Sequence, residues 1–305
     1  MAKGKIFIST SSFAEYSDQP LKLLREAGYE YQLNPHGRTM KADEIIKLVS
    51  GSIGLVAGTE KLTADVIHQL TGLKVISRCG AGIDNVDQPA MNQKGMILKS
   101  TPNAPTLAVA ELTVGLILDL MRKISMMDRE LRGGQWHKRM GHLLFEKKVG
   151  IIGYGRIGKK VAELLKAFGC ELAYFDTYHQ SDFLNIPRME MPELLRWADI
   201  ITVHINSADH LISKNELELL GPKGWLVNTS RGGVVDENAL IEYLKDGKIK
   251  GAALDVFEQE PYTGPLCQFN NVVLTAHIGS YAQEARIRME IESVQNLLDV
   301  LESKK

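Results

Sequence analysis

The stretch GYGRIGKK, residues 153–160, directly follows the apolar run VGIIG (149–153) and directly precedes the helical KKVAELLKAFG (159–169). A glycine-rich turn between a strand and a helix is the context in which GxGxxG binds a dinucleotide. Gly153 permits the tight turn, Gly155 lets backbone approach a pyrophosphate, and Gly158 lets helix pack close to strand. The glycines alone also fit an unliganded turn. Asp176 narrows the reading: it closes the next apolar run, ELAYFD, 21 residues after Gly155, where a carboxylate can accept from ribose hydroxyls. Thr177, Tyr178, His179 and Gln180 follow it without an arginine to hold a 2′-phosphate, so the expected cofactor is NAD rather than NADP.

This turn falls halfway along the chain, so the first 150 residues need their own explanation. At 305 residues the chain is long enough for two domains. Its 36 basic and 37 acidic side chains leave no net field for nucleic acid or an anionic membrane surface. The three cysteines form no CxxC pair, and MAKGKIFIST lacks the apolar core of a signal peptide; both point to a reducing cytoplasm. The longest apolar segment, LAVAELTVGLIL (107–118), carries Glu111 and is too short to span a bilayer. Its apolar residues run around every face, which predicts a helix sandwiched between domains or subunits, at a dimer interface.

β-branched runs alternate with helical stretches in two separate series, the pattern of parallel α/β sheets. KIFIS, YEYQL, IGLVA and KVIS are the strands of the first series. VGIIG, ELAYFD, DIITVHI, GWLVNTS, IKGAALDVF and NVVLTAHI are those of the second. EARIRMEIESVQNLLDVL (284–301) is a closing amphipathic helix with no strand of its own. The joints are the turns STPNAP (100–105) and HIGS (277–280), and two crossings between two sheets predict a hinged cleft.

Three polar residues stand just beyond apolar runs of the second series: Arg231 after GWLVNTS, Glu260 after GAALDVFEQ and His277 after NVVLTA. All three are expected at the carboxyl ends of parallel strands, where open α/β sheets bind ligands. A guanidinium grips a carboxylate bidentately, and a histidine passes protons near neutral pH; together they suit hydride transfer to a 2-oxo acid. His204, which also ends a strand, competes with His277 for the proton-transfer role.

GYGRIG, NTSRGGVVDENAL, GAALDVFEQEP and LTAHIGS, in this order and spacing, resemble the D-isomer-specific 2-hydroxyacid dehydrogenases. ISRCGAGIDNVD with NTSRGG is most similar to the phosphoglycerate dehydrogenase branch. The resemblance implies two Rossmann-like, doubly wound parallel-sheet α/β domains. The cofactor domain (103–277) is inserted into a flavodoxin-like substrate domain (1–102 with 278–305), which explains the mid-chain fingerprint. It also implies a homodimer, a small-molecule substrate, and the reaction that interconverts 3-phosphoglycerate and 3-phosphohydroxypyruvate in serine biosynthesis.

By the same resemblance Arg231 binds the substrate carboxylate and polarises the 2-oxo group, His277 exchanges the proton, and Glu260, rather than Glu258, orients and charges His277. Asp255 contacts the nicotinamide carboxamide; Arg156, Ile157, His204 and Thr229 join the cofactor contacts. Gly80, Ala81 and Gly82 meet the substrate carboxylate, Asn103 lies near the substrate, and Arg78, Lys138 and Arg139 meet a substrate phosphate. Asn206 and Ala276 stand where relatives often carry proline, and the loop from Glu260 to His277 is short, which puts the adenine-side contacts in question. Ala81 replaces the lysine of phosphite dehydrogenases, and the end at Lys305 implies no serine-binding regulatory domain. A hydroxypyruvate or glyoxylate reductase of the same family, or a corepressor-type NAD sensor, would share these motifs.

Overall fold

A computed structural model describes residues 2–178, 182–206 and 209–303. The chain divides into two compact units, Met1–Pro105 with Ser280–Lys305, and Thr106–Gly279. The boundaries fall two to three residues beyond the sequence-based ones, for local reasons. Thr106 already begins a helix of the second unit, and the backbone N–H of Gly279 is bound at 2.8 Å by the Asp255 carboxylate of that unit.

The first unit is a five-stranded parallel sheet of β1 (Lys5–Ile8), β2 (Glu30–Leu33), β3 (Gly54–Ala57), β4 (Val75–Arg78) and β5 (Ile97–Ser100), in the order β2-β1-β3-β4-β5. This is the flavodoxin-like order. The fifth strand was not among the expected ones: its residues alternate between exposed and partly buried, so ILKS lacks the continuous apolar run of a central parallel strand. Helices α2 (Ala42–Val49), α3 (Ala64–Gln69) and α4 (Gln88–Gln93) enclose one core with Phe7, Leu55 and Ile76. The other face is covered by α1 (Gln19–Glu26) and the closing helix α11 (Gln283–Glu302), over Ile6, Ile8, Val56 and Val75. On α11 the buried Glu290 accepts from Arg286 Nε at 2.6 Å and from the Ala14 backbone N–H at 2.9 Å. The pair lies within α11, and it is the bonds from Glu290 to the Ala14 N–H and from Arg286 to the Ser12 carbonyl that tie the helix to the segment after β1.

The second unit carries six parallel strands: β6 (Lys148–Ile152), β7 (Glu171–Phe175), β8 (Ile200–Val203), β9 (Trp225–Asn228), β10 (Gly251–Leu254) and β11 (Val272–Leu274). Their order, β11-β10-β9-β8-β6-β7, places the topological switch point between β6 and β8. β8, β9 and β10 are buried at every position, as parallel strands covered on both faces must be. Helices α8 (Met191–Trp197), α9 (Lys214–Leu220) and α10 (Glu237–Lys245) contribute to one face, and α5 (Thr106–Arg122) with α7 (Arg156–Ala167) cover the other. Between α5 and β6, α6 (Ile124–Arg132) and an extended segment run outside the sheet.

α5 buries only part of residues 107–118 within its own unit. Leu107 is 41% exposed and, with the exposed Glu111 and Gly115 at helical spacing, leaves one stripe outside that core. Ala110, Val114, Ile117 and Leu120 pack instead into the core of the same unit, with Val161, Leu165 and Val227. Among the described residues no helix is long and apolar enough to cross a membrane.

Candidate active site

The carboxyl edge of the second sheet gathers most of the residues singled out above. At the switch point Gly153 has φ +91°, and a Cβ there would lie 2.5 Å from the carbonyl oxygen of His204. Glycine is therefore required by both backbone conformation and close approach. A Cβ on Gly158 would lie 2.0 Å from the Gly153 carbonyl, the tight helix-to-strand packing assigned to the third glycine. Gly155 faces open space, with no atom within 4 Å of a Cβ position, and is the N-cap of α7. The first turn of α7, which begins with Arg156 and Ile157, thus presents backbone N–H groups that no intrahelical carbonyl can satisfy, beside a gap. That arrangement fits the pyrophosphate of a dinucleotide.

Asp176 is 8% exposed. Its Oδ2 accepts from the Tyr154 backbone N–H at 2.7 Å and its Oδ1 from the Tyr178 N–H at 2.8 Å. The carboxylate thus braces the glycine turn from the end of β7. One neighbour escaped the sequence reading. Arg188 donates from Nε and a terminal nitrogen to the Asp176 carbonyl at 3.3 and 3.2 Å. It comes alongside because Tyr174 and Arg188 form an isolated parallel bridge, a non-local pairing with no short-range signal. The expectation that no arginine stands beside Asp176 is therefore corrected. His179 and Gln180, and residues 207–208 of the HINSADH departure, lie outside the described residues.

The two candidate histidines differ sharply. His204 pairs through Nε2 with Thr202 Oγ1 at 2.9 Å, and burial pushes it down to about 3, so it is neutral at physiological pH. Its Nδ1 is buried and has no hydrogen-bond partner among the described residues, an orphan of the kind a bound ligand satisfies. His277 instead contacts the Glu260 Oε2 through Nδ1 at 2.8 Å, and its side chain is 53% exposed. A carboxylate can only accept, so Nδ1 carries the hydrogen of that bond and Nε2 is left as the atom that exchanges a proton.

His277 is held in the left-handed region, φ 53°, which is strained for a non-glycine residue. Asp255, 1% exposed, imposes the turn. Its carbonyl accepts from the His277 N–H at 2.8 Å, Oδ1 from Thr275 Oγ1 at 2.6 Å and the Ile278 N–H at 2.8 Å, and Oδ2 from the Gly279 N–H at 2.8 Å.

Arg231 sits at the end of the NTSR turn, which Asn228 shapes. The Asn228 side chain donates to the Arg231 carbonyl at 2.9 Å and accepts from Ser230 N and Oγ at 3.0 and 2.7 Å. Nothing in the sequence singled out Asn228, because its role is local turn formation. The adjoining Gly232 cannot carry a side chain, since a Cβ would lie 1.9 Å from the Phe257 carbonyl. Phe257 in turn donates its N–H to Glu260 Oε1 at 3.1 Å. The loops bearing Arg231, Glu260 and His277 are thus contiguous. Glu258 is engaged elsewhere, accepting from the Glu237 N–H at 3.1 Å and pairing with His210 at 3.1 Å. Thr229 is buried and donates to Thr113 Oγ1 at 2.9 Å, because Thr113 gives its own hydrogen to the Val109 carbonyl.

In the first unit, the Gly80–Gly82 loop follows β4. Gly80 has φ +148°, and a Cβ there would coincide with the Arg78 guanidinium, 1.3 Å from a terminal nitrogen. Arg78 donates to the Cys79 carbonyl at 2.7 Å, and Thr101 Oγ1 accepts from the Gly80 N–H at 2.8 Å. Arg139 forms an exposed pair with Glu130, with Nε at 2.9 Å from one oxygen. Lys138 is also exposed, and Asn103 lies at the end of the first unit.

Residues 114–279 match the family model described as D-isomer specific 2-hydroxyacid dehydrogenase, NAD binding domain. The chain is 42% identical over 258 residues to the glyoxylate reductase of Thermofilum pendens, covering 80% of this chain and 76% of the reductase. It is 37% identical over 279 residues to the D-3-phosphoglycerate dehydrogenase of Methanocaldococcus jannaschii, covering 88% of this chain but only 53% of that protein, about half its length. The crystal structure of the TT0316 protein from Thermus thermophilus superposes with a TM-score of 0.92 at 32% identity, covering 99% of this chain and 98% of that one. The chain belongs to the D-isomer-specific 2-hydroxyacid dehydrogenase family and carries that family's NAD-binding domain.

Proposed function

We propose that this chain is an NAD-dependent oxidoreductase that interconverts a D-2-hydroxy acid and its 2-oxo acid, with 3-phosphohydroxypyruvate of serine biosynthesis as the first substrate to test. The observation that carries the reaction type is the 2.8 Å contact between His277 Nδ1 and Glu260, on the same sheet edge as the glycine turn. Bound NAD(H) supplies the hydride chemistry. The chain's residues do the rest. Arg231 binds the substrate carboxylate as a fixed fork, and its charge draws electron density from the 2-oxo group. His277 Nε2 delivers or removes the hydroxyl proton, while Glu260 fixes the ring tautomer and stabilises its charged form. Gly153, Gly155, Arg156, Ile157 and Gly158 cradle the pyrophosphate, Asp176 takes the ribose, and Asp255, His204 and Thr229 complete the cofactor contacts. In the first unit, the Gly80–Gly82 loop and Asn103 hold the substrate.

The substrate's far end has two readings. Arg78, with Lys138 and Arg139, would favour a phosphate. The pairing of Arg139 with Glu130, and of Arg78 with the Cys79 carbonyl, favours an unphosphorylated acid such as hydroxypyruvate or glyoxylate. Steady-state rates with NADH on phosphohydroxypyruvate, hydroxypyruvate, glyoxylate and pyruvate decide between them. A charge-assisted hydrogen bond is worth about 1.5–3 kcal/mol. On the phosphate reading, Arg78→Ala therefore lowers kcat/KM for phosphohydroxypyruvate by about 10- to 150-fold and leaves hydroxypyruvate nearly unchanged. Equal losses on both substrates assign Arg78 to the loop fold and move the reductase reading ahead. Absence of turnover with all four would favour an NAD-sensing protein. A homodimer and a cytoplasmic location complete the proposal. The exposed Trp136, Met140 and Leu143, close together in sequence after α6, support self-association, because a run of large apolar side chains is costly to leave in water.

A further inference from the structure

The second unit holds a cavity of about 240 Å³ at the opposite edge of its sheet from the candidate catalytic residues. Its lining includes Trp225 and Val272, the first residues of β9 and β11, and Lys250, the residue before β10. Three cationic side chains line it, Lys123, Arg129 and Lys250, together with His142. The acidic lining residue is Asp119, and both of its oxygens are engaged by Ser125, one by the backbone N–H at 2.7 Å and the other by the hydroxyl. The cavity is therefore cationic, with its one lining carboxylate already occupied.

The walls are fixed in place. The His142 backbone N–H donates to the Met121 carbonyl at 3.0 Å, and Gly141 beside it is so close to α5 that a Cβ would lie 2.7 Å from the same oxygen. The imidazole meets the Trp225 indole edge-on, with ring centres 5.3 Å apart. Lys250 Nζ sits 4.1 Å from the centre of the same indole, and the Lys250 carbonyl accepts from the Asn271 side chain at 3.1 Å. Lys123 joins α5 to α6 in the left-handed region, φ 58° and ψ 39°. That is a conformation in which helices commonly end, and here it turns the chain from α5 into α6 and so fixes where the Lys123 side chain leaves the backbone. Burial, and then the nearby Lys147 and Lys123, push Lys250 below the ordinary lysine range against the opposing pull of Asp199; burial, and then Lys250, Lys147 and Lys123, push His142 down. An added negative charge would relieve this mutual repulsion.

We propose that this cavity is a second ligand site that takes a small multivalent anion of the phosphate class, free or as the substituent of a metabolite. It is independent of the cofactor and substrate contacts. None of its residues belongs to the proposed dehydrogenase machinery, and nothing in that reaction requires two lysines and an arginine around a cavity at the amino edge of the sheet.

The test is calorimetric titration of the full chain with inorganic phosphate, at ionic strength held constant with sodium chloride and with saturating NADH to occupy the dinucleotide contacts. The expected result is a saturable binding event that persists when the candidate substrate-phosphate contact is removed by Arg78→Ala and is weakened about tenfold or more by Lys250→Gln, since a charge-assisted hydrogen bond is worth about that much. Lys123→Asn, which suits the left-handed backbone and removes a charge, gives a second weakened titration should Lys250→Gln fold poorly. Arg78→Ala leaves the affinity unchanged. Absence of a saturable event, or a dissociation constant unaltered in both cavity variants, overturns the proposal. A thermal stabilisation that rises without saturation does the same, because it reports only exclusion of phosphate from the surface.

Discussion

The two halves of one sheet edge are built on different physical plans. At the carboxyl ends of β6, β7 and β8, polar groups are drawn into the fold: Asp176 is bound by two backbone N–H groups, and His204, its Nδ1 buried, is held neutral by burial. At the ends of β9, β10 and β11, the groups proposed to react are open, with the His277 side chain 53% exposed and clamped only by Glu260 and the Asp255 turn. The first half is a buried cradle built on backbone contacts; the second sets its imidazole where solvent and substrate can reach it. Exposure and partner, rather than residue type or strand position, separate two histidines that look equivalent in sequence.

The largest expected effect falls on the open half. His277→Asn should lower kcat by about 10²- to 10⁴-fold, the usual worth of a positioned acid or base, while the dissociation constant for NADH changes little. His204→Asn should alter cofactor KM by a few-fold and leave kcat near its starting value, because a ring pushed down to about 3 has no proton to give at neutral pH. Steady-state kinetics of the two variants side by side break the comparison if His204→Asn proves the more damaging to kcat.

Next in size is the cofactor preference of the cradle. An Asp176 carboxylate would repel a 2′-phosphate, so kcat/KM should favour NADH over NADPH by at least about tenfold. Arg188 sharpens the test, because its guanidinium already lies on the Asp176 carbonyl. Asp176→Ser should narrow the preference, and Arg188→Ala in that background should restore part of it by removing the cation left for the phosphate. Equal rates with both cofactors in the unaltered protein would remove the electrostatic argument.

The sequence revealed those features whose causes are local. The glycine turn, the second-series strands and the strand-end placement of Arg231, Glu260 and His277 could be found because apolar runs and glycine spacing are short-range signals. Features that depend on distant chain did not show. The β5 strand is an edge strand with alternating exposure, and the stripe along α5 is defined by what its own sheet covers on the other side. Arg188 reaches Asp176 through a bridge to Tyr174. The choice between His204 and His277 was equally closed to spacing, because burial, which sets them apart, is a property of the packed unit.

The smallest effect tests the cradle through stability. A histidine held at about 3 in the fold takes up a proton near its ordinary value of about 6.5 once unfolded, so between those values the unfolded chain binds more protons. The contribution of His204 is therefore fully present above about pH 6.5 and is lost progressively as pH falls toward 3. Between pH 7 and pH 5 the linkage limit is about 2 kcal/mol. Nδ1 is buried but the residue as a whole keeps part of its surface exposed, which brings the expected loss nearer to about 1 kcal/mol, a shift of about 2 °C in Tm for a chain of this size. Since other groups titrate in the same window, the quantity to measure is the difference in slope of Tm against pH between the unaltered protein and His204→Asn, both without cofactor. The variant should be the less acid-sensitive of the two. Identical slopes would mean that burial does not keep His204 neutral, and the distinction between the two halves of the edge would then rest on hydrogen bonding alone.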